Sequence, residues 1–437
     1  MSQAPRERWT GRTGFIMAAI GSAVGLGNMW RFSYLTAEYG GAAFVILYIG
    51  FTLFVGIPIL LAELAMGRGS ERSPISALGH FGGRAWMPAG ALFVAAGFLI
   101  LSYYSVIAGW TLRYALVALI SGFDPDTAGY FTAISEGAGA VTYHIVFMVV
   151  TIVIVAHGVT SGIERTSLIL MPLLFVLVCG LAIYSYTLEG ASEGYRFYLE
   201  TDFSKIFDLE VFGTAAGQAF FSLSLGMGAM LTYASYLSPE RHLPNESLVV
   251  GGADFAIAFV AGLVVFPLIF ALGLSADVGE STVGALFITM PKAFAQMGGA
   301  GQVVGFLFFA ALVVGALTSA ISLLEVVAAS AMDLLHWPRR RSALLLGGLI
   351  TLLGIPPALD LNVLDWMDKL AGQLFLVTGG LILSLFVGWF MKDPFSEVRR
   401  GAEHVTWFPI WRFLMRVPIP IVLLFVLYSF VKRIFFA

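Results

Sequence analysis

Charge is what this chain of 437 residues has least of: Asp, Glu, Lys and Arg together make up only 12% of it, and the signs nearly cancel to a net −3. A soluble globular domain carries about a quarter charged residues, so a soluble fold is excluded. The longest basic run is Arg339, Arg340 and Arg341, too short to mark nucleic acid as a partner. Cysteine is nearly missing as well. Cys179 stands alone, which excludes an intrachain disulfide and a thiol-bound metal cluster and leaves redox chemistry without a dithiol. The first dozen residues hold Arg6, Arg8 and Arg12 but no separate apolar stretch with a cleavage site, so no removable signal peptide is expected. The six histidines, His80, His144, His157, His242, His336 and His404, fall near segment ends or in loops. None pairs with another at metal-ligand spacing, and all six are expected at the membrane interface.

What the chain has in quantity is apolar sequence, 59% of all residues. Crossing the hydrocarbon takes about 20 apolar residues at a rise of about 1.5 Å each. Eleven such segments are expected, near 13–37, 41–66, 88–120, 141–157, 166–187, 211–237, 248–274, 301–332, 343–358, 364–391 and 409–432. Arg6, Arg8, Arg12, Arg68, Arg72, Arg84, Arg165, Arg241, Arg339 to Arg341, Lys392, Arg399 and Arg400 then share one side, which the positive-inside rule makes the cytoplasm. The opposite connections are acidic, with Asp124, Asp126, Glu136, Glu189, Glu193, Glu200 and Asp202. An odd number of crossings puts the C-terminus outside, where Lys432 and Arg433 run against the rule.

Two segments are interrupted where interruption is most costly: "GSAVGLGN" at 21–28 and "SLSLGMG" at 222–228. Irregular backbone at membrane depth is tolerated only where protein or a watery cavity surrounds it. Gly21 and Gly25 also form a GxxxG spacing that serves close helix packing. Asn28 and Arg31, however, are expensive in a helix that only packs. Because the breaks fall in the first and sixth segments, they point to a transporter of two inverted five-helix repeats, 13–187 and 211–391, followed by an eleventh helix at 409–432. The site then lies at the midplane, where half-helix N-termini face an anionic group and freed carbonyls a cation. A nucleotide fingerprint is excluded, since no strand precedes the glycines.

The segments "GFIMAAIGSAVGLGNMWRFSY", "GGAAFVILYI", "GIPILLAELAMGR", "SYYSVIAGW", "GQAFFSLSLGMGAMLTYASY" and "GALTSAISLLE" resemble the neurotransmitter:sodium symporters, solute carrier family six, and in particular their bacterial leucine-transporter-like members. The resemblance covers nearly the whole chain and implies an all-α membrane protein that carries sodium and an amino acid by alternating access. It implies a first sodium site at the Ala23 carbonyl, Asn28, Ser222 and the substrate carboxylate. It implies a second at the carbonyls of Gly21, Val24 and Gly315 and the hydroxyls of Thr318 and Ser319. Oxygen ligands alone suit a hard cation. Taken by itself, a helix hydroxyl such as that of Thr318 bonds the carbonyl one turn back. By the same correspondence the substrate carboxylate meets the amides of Leu26 and Gly27 and the Tyr104 hydroxyl, and its ammonium the carbonyls of Ala23, Phe221 and Ser224. The side-chain pocket is Val24, Ile100, Tyr104, Phe221, Met227, Ser319 and Leu323. Met227 stands where the best-known bacterial member has phenylalanine, and its flexibility suits hydrophobic or aromatic substrates of several shapes.

Asp254 departs from the chloride-dependent relatives, which resemble one another in having asparagine there, and Ala258 replaces the serine that helps them hold chloride. An intramembrane carboxylate defaults to function. Asp254 is expected to supply the negative charge at the first sodium site, so that no chloride is required, and is the candidate for proton antiport; the alternative is a protonated structural carboxyl. The resemblance also implies an outer gate of Arg31 and Asp368 with Phe221 as lid, and an inner gate of Arg6 and Asp333 with Trp9, Ser235 and Tyr236. For Arg6 a plain positive-inside role is the alternative. Gly162 and Pro172 form the Gly-x9-Pro spacing that marks an unwinding helix start in bacterial relatives. Glu63 is expected to hold amides of the sixth segment, and Glu325 to line the inner water path or take a proton. No nucleophile with an adjacent base is present, so an enzyme is not expected. A receptor of the same fold that binds an amino acid without moving it is the other alternative. The expected partners are an amino acid, sodium ions and the bilayer of a prokaryotic inner membrane, with a monomer sufficient for function.

Overall fold

The structure, a computed structural model, describes residues 6–200, 203–274 and 285–435, so Asp202 lies outside the described residues. Its regular elements are all helical. In chain order the principal helices are α1 (Arg12–Ala23), α2 (Phe32–Glu38), α3 (Ala42–Ser70), α4 (Arg84–Ile120), α5 (Ala138–Ala156), α6 (Val159–Tyr186), α7 (Leu209–Ser222), α8 (Ala229–Ala234), α9 (Leu243–Ala271), α10 (Gly299–Leu335), α11 (Arg339–Leu359), α12 (Leu361–Phe390) and α13 (Phe408–Phe435). Nine of these, α3 to α6 and α9 to α13, are long and apolar enough to span a membrane among the described residues. The other two expected segments are the split pairs α1/α2 and α7/α8. The breaks predicted at 21–28 and 222–228 therefore stand in the structure.

Burial separates an inner from an outer set of helices. The apolar window of α10 is 78% buried and that of α6 only 28%. The inner helices α4 and α10 lie against each other along much of their length, and α1 packs on α6, α9 and α10. The outer surface of α5 and α6 shows Val149, Val153, Ile169, Val176 and Ile183, as a chain solvated by hydrocarbon requires. Several helices exceed the expected segments: α10 starts at Gly299 and ends at Leu335, where His336 turns left-handed with φ +53°.

One histidine contradicts its expected place. His144 is fully buried within α5, with Nδ1 2.9 Å from Ser105 Oγ and Nε2 2.9 Å from the Thr351 carbonyl. Gly354 makes the room: a Cβ there would come within 2.4 Å of the His144 ring. The ring's two nitrogens tie α5 to α4 and α11, which satisfies them away from water.

Glycine at closest approach fixes how the second broken helix sits. A Cβ on Gly67 of α3 would lie 2.0 Å from the Leu231 carbonyl of α8. Gly67→Ala must therefore push α8 outward, an overpacking cost of about 1–3 kcal/mol. We expect a lowered thermal unfolding midpoint in detergent, whereas Gly252→Ala, with no heavy atom within 4 Å of its Cβ, leaves it unchanged.

Candidate functional site at the two broken helices

The α1/α2 break begins at Val24, whose extended conformation (φ −79°, ψ 112°) ends α1. Past it the chain runs through Gly25 and a wide turn at Gly27–Arg31 before α2 resumes. Each backbone group freed there meets a side chain. Gly25 N–H donates to Asn28 Oδ1 at 3.0 Å, Leu26 N–H to the Tyr104 hydroxyl at 3.4 Å, and the Gly27 carbonyl accepts from Gln218 Nε2 at 3.0 Å. The Ser319 hydroxyl lies 3.4 Å from the carbonyls of both Gly21 and Val24, and Ser224 Oγ donates to the Ser22 carbonyl at 3.0 Å.

The α7/α8 break needs left-handed backbone at three places, Ser224 (φ +53°), Gly226 (φ +80°) and Gly228 (φ +73°). Glycine suits two of them, and at Gly226 a Cβ would also meet the Leu376 carbonyl at 2.3 Å. Ser224 holds that conformation with a side chain, a local strain of the kind found at functional sites. Glu63, fully buried on α3, accepts from Gly226 N–H at 2.8 Å and from Leu231 N–H at 3.2 Å, as expected of it.

Between the breaks sits Asp254 of α9, with no solvent exposure. Its Oδ1 accepts from Asn28 Nδ2 at 2.6 Å, its Oδ2 from the Tyr48 hydroxyl at 3.0 Å, and Ser222 Oγ lies 2.9 Å from Oδ1 and 3.0 Å from Oδ2. Three convergent donors suit an ionised carboxylate.

All the expected substrate residues except Val24 line one cavity beside this cluster, which also takes in Gly25 and Asn28. Val24 corrects the expectation: its side chain is fully buried, and its carbonyl faces α10. Ile100, Met227 and Leu323 make one wall apolar, and Phe221 covers it with Arg31 stacked 4.5 Å from its ring centre. The outer pair expected between Arg31 and Asp368 is not a direct contact. Asp368 Oδ1 instead accepts from Tyr103 at 2.9 Å, and the guanidinium gains its attraction from the Phe221 ring. Thr318 Oγ1 bonds the Val314 and Gly315 carbonyls of its own helix, both at 3.1 Å.

On the other side Arg6 meets Asp333 at 2.8 Å and Ser235 Oγ at 2.8 Å, and lies 4.9 Å above the Tyr236 ring. Trp9 donates to the Tyr233 carbonyl at 2.8 Å. Glu325 does not face a water path: it pairs with Arg339 at 2.7 Å and accepts from the Tyr236 hydroxyl at 2.5 Å with no solvent exposure. Sequence reasoning missed Tyr48, Gln218, Tyr103 and Arg339. Gln218 carried a signal, since it lies one turn before Ser222 on the same helix face. Arg339 carried none, because its partner lies across the corner between α10 and α11.

Backbone opened at two facing helix breaks, lined by hydroxyls, carbonyls and one carboxylate and capped by an aromatic lid, defines a membrane transporter for a small zwitterion and a cation. The comparisons with known proteins agree. The model of the sodium:neurotransmitter symporter family matches residues 6–126 and 130–435, and the chain belongs to that family. It is similar to the sodium-dependent transporter YhdH of Bacillus subtilis, at 34% identity over 97% of this chain and 98% of the relative. A sodium-dependent transporter of Methanocaldococcus jannaschii is 33% identical over 97% of this chain and 90% of its own. Among solved structures, MhsT in complex with L-phenylalanine superposes with a TM-score of 0.88 at 44% identity, covering 97% of this chain and all of that one. The protein is thus a sodium-dependent membrane transporter and not an enzyme.

Replacing Glu63 tests how the second break is held. Glu63→Gln keeps one acceptor and turns an amide NH2 toward a backbone N–H, so one donor of α7/α8 loses its partner. We expect a loss of about 1–3 kcal/mol, read as a lowered unfolding midpoint, whereas Glu403→Gln in an exposed loop leaves the midpoint in place.

Proposed function

We propose that this transporter couples uptake of hydrophobic and aromatic amino acids to sodium, without chloride. The observation that carries the reading is the fully buried Asp254 beside a cavity walled by Ile100, Met227, Leu323 and Phe221. The apolar wall suits an aliphatic or aromatic side chain, and the L-phenylalanine bound in MhsT supports that class. Amides at Leu26 and Gly27 receive the substrate carboxylate, and the carbonyls of Ala23, Phe221 and Ser224 its ammonium.

Sodium is cargo here, and the donor set fits it. The Ala23 carbonyl, Asn28, Ser222 and the substrate carboxylate would hold one ion beside Asp254. In the structure Asn28 Oδ1 accepts from Gly25 N–H, and turning it to the ion frees that amide. The carbonyls of Gly21, Val24 and Gly315 with Thr318 and Ser319 would hold the second, a reading supported by Ser319 lying 3.4 Å from the first two. Because the substrate carboxylate ligates the first ion, each binds better with the other present. An ion that crosses the membrane potential contributes about 2.3 kcal/mol per 100 mV.

Alternating access follows from where the helices are held. Binding bridges α1/α2 to α7/α8, and the inner half of α1 swings free only when Arg6, Trp9 and their partners part. The two repeats, 13–187 and 211–391, move against each other, with the N-terminus in the cytoplasm of a prokaryotic cell. The start of α6 at Gly158 (φ +102°), followed by the wide turn Val159–Glu164, is the place where that helix unwinds to wet the second ion.

Asp254 decides the anion question. Wild-type sodium-dependent phenylalanine uptake should be the same in chloride and in gluconate. Asp254→Asn removes the fixed charge, so its uptake should fall at least about tenfold in gluconate and recover partly in chloride, a difference of about 1.4 kcal/mol or more in ion binding. Unchanged chloride-independent uptake by Asp254→Asn would contradict the assignment.

A further inference from the structure

Away from the transport site lies an open apolar groove of about 570 Å³ between the short helix Pro74–Gly82, α4, α10 and α11. That volume falls among ligand pockets, which run from about 300 to 1,000 Å³. Its walls include Ile75, Val94, Phe98, Leu334 and Leu346. Its one polar residue, Ser330, spends its hydroxyl on the Val326 carbonyl at 2.8 Å. Nothing in the groove can recognise a polar solute, whereas a hydrocarbon chain fits it throughout.

The groove ends among arginines of an unusual kind. On this face of the protein Arg6, Arg8, Arg12, Arg68 and Arg339 each meet a carboxylate. Arg72, Arg84, Arg340 and Arg341 are exposed and meet none among the described residues. Three of these four are continuous with the groove wall. Arg84 starts α4 about two turns before the groove residue Ala91, on the same helix face. Arg72 precedes Ile75 in the turn into Pro74–Gly82. Arg341 stacks 4.7 Å from the ring centre of Trp337, which follows the groove residue Leu335. A tryptophan with a cation on its face marks the headgroup level of a membrane protein.

We infer that this groove is a binding site for an anionic phospholipid, with one acyl chain along Val94, Phe98, Leu334 and Leu346 and the phosphate between Arg84 and Arg341. Unpaired arginines supply the charge complementarity that a neutral lipid would leave unused. The site is separate from the two broken helices, yet it leans on α10, which carries Thr318, Ser319 and Asp333. Lipid composition can therefore bias the same helix that the ions engage.

Native mass spectrometry of the full-length, delipidated protein titrated with phosphatidylglycerol or phosphatidylcholine tests the site. Phosphatidylglycerol should bind more tightly than phosphatidylcholine. That affinity should fall about fivefold for each of Arg84→Gln and Arg341→Gln, as expected for one basic residue near a charged headgroup. Ala91→Trp, which fills the groove from an exposed position, should abolish the preferred binding. Thermal midpoints of the three variants check that each folds. Equal binding of the two lipids, or phosphatidylglycerol binding untouched by the arginine substitutions, would overturn the site. Loss with the arginine variants but not with Ala91→Trp would overturn the groove as its acyl half.

Discussion

A backbone N–H or C=O without a partner in hydrocarbon costs several kcal/mol, and this protein opens its backbone twice at that depth. The arrangement around the breaks follows from that constraint. Asn28, Tyr104, Gln218 and Ser319 cover the first break and Glu63 covers the second, with Ser224 reaching from one to the other. The same groups that make the breaks affordable are those able to exchange a protein partner for an ion or a substrate. Function and stability thus draw on one set of hydrogen bonds, and the site is firm only while each is made.

A second consequence appears at the inner end of α1. Arg6 joins Asp333 and Ser235, Glu7 joins Arg339 at 3.1 Å and accepts from Val159 N–H at 2.5 Å, and Arg339 continues to Glu325 and Tyr236. Glu164 accepts from both the backbone N–H and the hydroxyl of Thr10, and Arg12 pairs with Glu246 at 2.9 Å. The segment leading into α1 is thereby tied to α6, α8, α9, α10 and α11 at once. An exposed pair such as Arg8 with Glu71 contributes little. The buried part of the network is different, since removing one partner leaves another charge unpaired. Release of α1 is therefore a concerted event rather than a fraying.

Most of this organisation was legible before any coordinates, because glycine and polar residues inside an apolar run have few explanations. The two breaks, the role of Glu63 and the cavity residues came from that logic together with the family's motifs. What stayed hidden depended on contacts between distant segments. His144 looked interfacial by its position in the chain, but Gly354 opens a place for its ring among three helices. Arg31 and Asp368 looked like a pair, yet Phe221 and Tyr103 take them separately. Val24 faces α10 because the chain is already extended there, a turn of backbone that no residue type announces.

The central claim is that the paired breaks convert a sodium gradient into movement of a hydrophobic amino acid. The most direct test is accumulation of labelled phenylalanine in proteoliposomes holding the purified protein, with an inward sodium gradient and gluconate in place of chloride. The account predicts uptake above equilibrium that collapses when an ionophore dissipates the gradient. Saturable binding with no accumulation would contradict it and leave a receptor in its place.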